Sequence, residues 1–157
     1  MGELGWELHH ELSEQSAIYD RILEAGAGLG LVDCGMRAVL NSLRLEKGYL
    51  LAADLCGEET PLEAGLEWLV KLDKGDFIGR GALEDQLQRG VPTRLVTLGI
   101  EASDADACGE ECIWRGDEVV GRITSGGWGH RVGRSIALGY VSTAWSKAAR
   151  PPSSDQS

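Results

Sequence analysis

The spacing of apolar residues changes once along this chain, at Gly90-Val91-Pro92, and that change limits the folds open to it. Upstream, apolar residues recur at helical intervals: Ala17, Ile18, Ile22 and Ala25 on one face, then Met36, Val39, Leu40 and Leu43 on another. Downstream the period becomes two. Arg94 to Ile100 reads as a strand, Cys112 to Trp114 pairs with Val119 to Thr124 across a turn containing Gly116, and Ser135 to Val141 gives a further strand. Helices first and antiparallel strands afterwards make an α+β chain. The boundaries expected are residues 1–90 for a first unit and 91–145 for a small antiparallel β unit, with 146–157 as a disordered tail without strand pattern.

Local signals punctuate the first unit. Trp6 to Leu12 alternates as a strand, with Glu7, His9 and Glu11 on one side and Trp6, Leu8, His10 and Leu12 on the other. Ser13 is placed to cap a helix that runs to about Ala25 and stops at Gly26. The GAGLG run, Gly26 to Gly30, follows a helix rather than a strand, so a helix stop and a turn explain it better than a dinucleotide fingerprint. Gly48 falls where a left-handed C-terminal residue belongs after Arg44, Glu46 and Lys47. Thr60-Pro61-Leu62-Glu63 has the form of a capping box with proline in the first turn, which predicts a helix starting at Pro61. A last helix is expected from Gly81 to Gln88, ended by Gly90 and Pro92. Gly126, Gly127 and Gly129 around Trp128 suggest a corner between strands.

Charge and composition exclude several roles. In 157 residues the net charge is -10, which disfavours nucleic acid and anionic membrane surfaces, and 43% hydrophobic content suffices for a core. No apolar run approaches the roughly 20 residues of a membrane span, and no signal or transit peptide is readable. Cys34, Cys56, Cys108 and Cys112 lack a framework spacing and are expected as reduced thiols, in a bacterial cytoplasm or a mitochondrial matrix.

The blocks LRLEKGY, TPLEAGLEW, VKLDKGDFIGRGAL and ITSGGWGHRVGRSIALGYV, in that order, resemble the folate-binding region of the aminomethyltransferase family, the glycine cleavage T proteins and their relatives. The wording LEKGY, PLEAGLEW and VKLDK is most similar to the folate domain of dimethylglycine and sarcosine dehydrogenases. The resemblance runs from Gly2 to about Val141. It implies the C-terminal part of an α/β folate-binding domain over residues 1–90 and the family's C-terminal β-barrel over 91–145, whose further strands would leave an open edge here. GELGWEL resembles a motif from the middle of the folate domain, so the domain's N-terminal portion and the dehydrogenases' flavin domain are expected to lie outside these residues.

The resemblance also assigns residues. Glu7 matches a glutamate that contacts the pterin, whose ring N–H and amino group suit a carboxylate accepting two parallel hydrogen bonds. Leu8 and His9 flank it, although the dehydrogenases usually carry tyrosine at the His9 position. The alternative for this stretch is a solvated strand face. Trp68 stands where the dehydrogenases place a folate-contacting tyrosine, and an indole face suits a flat ring; plain packing among Leu66, Leu69 and Val70 is the other reading. Set against the resemblance, the chain is one residue longer than the dehydrogenases between Gly35 and Glu46, which turns a helix by about 100° beyond it, and the functional arginine that aminomethyltransferases carry in this segment has no aligned counterpart. Arg37 lies nearby without matching. Arg37, Arg44 and Lys47 are read as surface cations or as contacts for the anionic tail of a folate.

The reaction implied is one-carbon transfer with tetrahydrofolate as cofactor, in glycine, sarcosine or dimethylglycine breakdown, beside a flavin-dependent dehydrogenase module. The family's catalytic aspartate belongs upstream of GELGWEL, so no catalytic residue is assigned and no metal is expected. A non-catalytic regulatory or scaffolding protein of the same fold, or an inactive fragment, is the alternative.

Overall fold

A computed structural model describes residues 4–102 and 104–146. Helix α1 is Gln15–Gly26, preceded by a 3-10 turn over Leu12–Glu14 that contains Ser13. Glu14, with no side-chain hydrogen bond, occupies the cap position, so the expected cap by Ser13 is not formed. Residues 27–30 then turn, as the GAGLG run predicted, with Gly30 at φ 75°. The expected strand at Trp6–Leu12 does not form. Residues 6–11 carry no ladder, because among the described residues no strand lies beside them, and an isolated alternating segment has no backbone partner to hold it.

Residues 36–47 run as one helix with an unusual middle. Ala38–Leu43 is a π turn, and α2, Arg44–Lys47, completes it. A π turn accommodates one residue more than an α turn. It falls within the stretch where an extra residue relative to the dehydrogenases is expected. Gly48 ends the helix at φ 67°, as expected, with its amide donating to the Leu45 carbonyl at 3.1 Å and the Tyr49 amide to Arg44 at 3.0 Å.

The capping box at Thr60 forms, yet the predicted helix does not continue. The Thr60 amide donates to Glu63 Oε2 at 2.9 Å and the Glu63 amide to Thr60 Oγ1 at 3.3 Å. One turn later Gly65, at φ 73°, closes the segment, and the Leu66 amide donates to the Pro61 carbonyl at 2.8 Å. A glycine placed five residues after the cap stops the helix after a single turn. Helix α3, Arg80–Arg89, follows, with Gly79 before it and Gly90 after it both at φ 90°.

Four strands make one antiparallel sheet: β1 (Thr93–Ile100), β2 (Cys112–Arg115), β3 (Glu118–Gly129) and β4 (Arg134–Ser142), in the order β1-β4-β3-β2. Three strands joined by hairpins with the first strand laid beside the last is a Greek-key order. A helical turn, α4 (Thr143–Ser146), ends the described chain; the remaining residues expected as a disordered tail lie outside it. Gly126, Gly127 and Gly129 sit inside β3, paired to Ala137, Ile136 and Arg134, so the expected corner is a strand instead. Gly126 is required there by close approach, since a Cβ on it would fall onto the Ala107 carbonyl. The buried core gathers Leu45, Ile136 and Leu138, with Leu50 and Leu95 packed against them, so residues on both sides of Gly90 share it. Among the described residues no helix is long and apolar enough to cross a membrane.

Candidate functional site

The site is built outward from the end of α2. The left-handed turn at Gly48 swings the chain into the loop 49–55, whose 3-10 turn Ala52–Asp54 faces the sheet. The capped turn at Thr60 to Gly65 comes back alongside it, anchored to β1 by the Leu95 amide donating to the Glu63 carbonyl at 2.8 Å. The 3-10 turn Glu67–Leu69 then presents Trp68, which is 67% exposed. Between these segments lies a cleft of about 520 Å³. Tyr49, Leu50 and Leu55 form one wall and Leu66 and Trp68 the other, with Leu95 and Leu138 from the sheet and Lys47 also lining it. Its volume falls within the roughly 300–1,000 Å³ of small-molecule sites, and an apolar lining with a few polar groups is their usual character.

Behind the loop wall sits a buried polar network. Arg44 is 3% exposed and Asp54 is fully buried. The Arg44 guanidinium donates from Nη1 to Asp54 Oδ2 at 2.6 Å and to the Tyr49 carbonyl at 3.1 Å, from Nη2 to Ser125 Oγ at 2.7 Å, and from Nε to the Leu40 carbonyl at 2.6 Å. Asp54 Oδ1 accepts from the hydroxyls of both Thr124 and Ser125 at 2.6 Å, and Oδ2 accepts from the Leu51 amide at 2.9 Å. Neighbouring strand residues ordinarily face opposite sides of a sheet. The β3–β4 register shifts between Ile123 and Ser125, a bulge that turns both hydroxyls toward one carboxylate. Burial alone would raise the Asp54 pKa, but the hydrogen bonds from Ser125, Thr124 and the Leu51 amide, with the Arg44 charge, hold it below the usual carboxylate range. Tyr140 Oη donates to the Asp54 carbonyl at 2.9 Å, and burial, with the charge of Glu59, pushes its phenol to about 12.

A second buried carboxylate fixes the other wall. Glu63 is 8% exposed and accepts from the Thr93 hydroxyl at 2.7 Å besides its bonds to Thr60. Burial opposes its ionisation, yet the Thr60 amide and the Thr93 and Thr60 hydroxyls outweigh it and lower the pKa.

The residues singled out in the sequence fall into three places. Trp68 lines the cleft just described. Glu7 and His9 are exposed and face each other at 3.7 Å, while Leu8, with Trp6 and His10, lines a separate cleft of about 540 Å³ against α1. Arg37 is exposed at the start of the π turn. The structure therefore does not bring Glu7, Leu8, His9 or Arg37 to the cleft of Trp68. The reading of Arg44 as a surface or tail-binding cation is corrected: its guanidinium is consumed by the buried network. Sequence reasoning missed Tyr49 and Asp54. The signal for Tyr49 was its place directly after the αL glycine; Asp54, in a polar stretch, gave none.

Comparison with known proteins fits this architecture. The GCVT N-terminal domain family model matches residues 1–74, and the glycine cleavage T-protein C-terminal barrel domain matches 93–151. Mitochondrial dimethylglycine dehydrogenase of Mus musculus is 44% identical over 142 residues, covering 89% of this chain and 16% of the relative. Mitochondrial sarcosine dehydrogenase of the same organism is 43% identical, covering 90% of this chain and 15% of the relative. The crystal structure of glycine cleavage system aminomethyltransferase T from Bartonella henselae superposes with a TM-score of 0.70 at 30% identity, over 83% of this chain and 36% of that one. The chain thus spans about a sixth of the dehydrogenases it matches. With both domain models matched in order over helices and sheet alike, the chain belongs to the aminomethyltransferase, or glycine cleavage T protein, family.

Proposed function

We propose that this chain is a tetrahydrofolate-binding part of a one-carbon transfer protein in glycine, sarcosine or dimethylglycine breakdown, working beside a flavin-dependent dehydrogenase module. The observation that carries the reading is Trp68. Its indole, 67% exposed, lines an apolar cleft and so presents a face on which a flat ring can stack. The residues present fit such a group: Trp68 and Tyr49 offer aromatic faces, Leu50, Leu66 and Leu95 an apolar lining, and Lys47 a cation for an anionic tail. Bound there, tetrahydrofolate would supply the nitrogens that take up the one-carbon unit. The chain's own part is to grip and orient the ring and to exclude water from it. In this reading Glu7, flanked by Leu8 and His9, accepts from the pterin's N–H and amino group and Arg37 serves the anionic tail only if segment 4–11 and Arg37 close onto the Trp68 cleft, from which this structure holds them apart.

Calorimetric titration of tetrahydrofolate into the purified chain tests the proposal. Saturable binding is expected, weakened about tenfold or more by Trp68→Ala and about tenfold by Glu7→Gln, the loss of one charged hydrogen bond being worth about 1.4 kcal/mol or more. A folded parent that takes up no tetrahydrofolate overturns it. A Glu7→Gln variant that binds like the parent removes Glu7 alone.

A further inference from the structure

We infer that Arg44 and Asp54 are positioning residues for the Trp68 cleft, holding its 49–55 wall at a fixed distance from the indole. The inference deepens the folate reading above and rests on it. Three main-chain groups of that wall end on the network: the Tyr49 carbonyl on Arg44 Nη1, the Leu51 amide on Asp54 Oδ2, and the Asp54 carbonyl on Tyr140 Oη. Each lies within a segment whose side chains Tyr49, Leu50 and Leu55 face the cleft. The far side of the network is the rigid sheet, reached through Ser125 and Thr124 on β3.

Stability alone does not call for such a construction. Apolar residues of equal volume hold a core as well as a buried ion pair does, and often better. What a pair with four directed donors and four directed acceptors adds is placement, because it is satisfied in one geometry only. The bulge at Thr124 has the same sense: it gives up one regular ladder position so that two hydroxyls meet Asp54 Oδ1. The π turn adds the last fixed point, with the Leu40 carbonyl accepting from Arg44 Nε. Arg44 and Asp54 touch no ligand in this scheme; they act through the wall.

The test uses the full chain, its Ser125→Ala and Asp54→Asn variants, and Trp68→Ala as a control on the opposite wall. Backbone hydrogen exchange and tetrahydrofolate titration are measured on each, with folding checked by circular dichroism. In Ser125→Ala and Asp54→Asn, exchange at the Leu51 amide should speed up about tenfold or more while amides of β4 change less than threefold, and the dissociation constant should rise about tenfold. Trp68→Ala should lose binding with Leu51 still protected. Acceleration spread evenly over wall and sheet makes the network merely structural and overturns the inference, as does a loosened wall with unchanged affinity. If the parent binds no tetrahydrofolate, the folate reading falls, and selective loosening of residues 49–55 still decides whether the network positions this wall. Should Asp54→Asn fail to fold, Ser125→Ala, which removes one hydroxyl, carries the decision.

Discussion

A buried guanidinium beside a buried carboxylate persists only where donors and lone pairs are matched, and at Asp54 the matching is complete: two hydroxyls on one oxygen, an amide and Arg44 on the other. Removing one partner strands the other. Asp54→Ala should therefore cost about 3–5 kcal/mol in urea unfolding, whereas the double change Arg44→Met with Asp54→Leu should cost far less, and a double-mutant cycle reads the difference. The same carboxylates set the acid limit. The pKa values of Asp54 and Glu63 are lowered in the folded chain, so the unfolded chain binds protons first as pH falls. Their stabilisation is fully present above the ordinary carboxylate pKa of about 4 and is lost below it, through their lower folded values. The unfolding midpoint should hold steady near neutrality and drop as pH passes below about 4, with a shallower drop in Glu63→Gln. Glu63 was legible in the sequence through its capping box, and Trp68 because an aromatic at a marked position is conspicuous. Asp54 was not, since an acid between alanine and leucine reads as solvated, and its hydroxyl partners stand 70 and 71 residues away.

At the level of elements, what was legible depended on how local the determining contacts are. Gly48 and the strands of the sheet were read correctly because turn chemistry and alternation act within a few residues. The capping box at Thr60 was also read correctly, but its continuation was not: the cap fixes where a turn starts, and Gly65 decides how long it lasts. The segment 6–11 failed as a strand because a strand is a pairing, and alternation does not supply the partner. Gly126 was misread because crowding by Ala107, nearly twenty positions earlier in sequence, is invisible locally. The π turn over Ala38–Leu43 gives a sharper test. Since such a turn holds one surplus residue, deleting Val39 should convert it to α geometry and leave Arg44 and Gly48 in place. The deletion variant should keep its circular dichroism spectrum and melt within a few degrees of the parent. Deleting Glu46, beyond the π turn, shifts the Gly48 stop against Arg44 and should abolish the cooperative melt.

Across the whole molecule, burial is unevenly shared. The change of period at Gly90 anticipated helices followed by a sheet, but it did not anticipate that Leu45 and Leu50 would complete the sheet's own core. Nor did apolar content foretell which apolar residues stay in water. Leu4, Trp6, Leu12, Leu29, Val32 and Met36 are each more than two-thirds exposed, and the only buried residue of α1 is Gly26. Segments 4–36 therefore hold few buried contacts, while β3 and β4 hold most of them, and opening free energy follows burial. Native-state hydrogen exchange should show this as two tiers. Amides of α1 should exchange through local opening, near the rate of an isolated helix of 12 residues, which is marginal in water. Amides of Ile136 to Val141, buried in the central strand, should exchange only at the global unfolding free energy. Binding of an apolar dye such as ANS to the native chain, reduced by Trp6→Ser and Ile22→Ser together, should map the exposed patch to the first tier. Protection of α1 equal to that of β4 would show instead that 4–36 is buried in solution, and would require a surface covering Trp6, Leu8 and Ile22 that this structure leaves open.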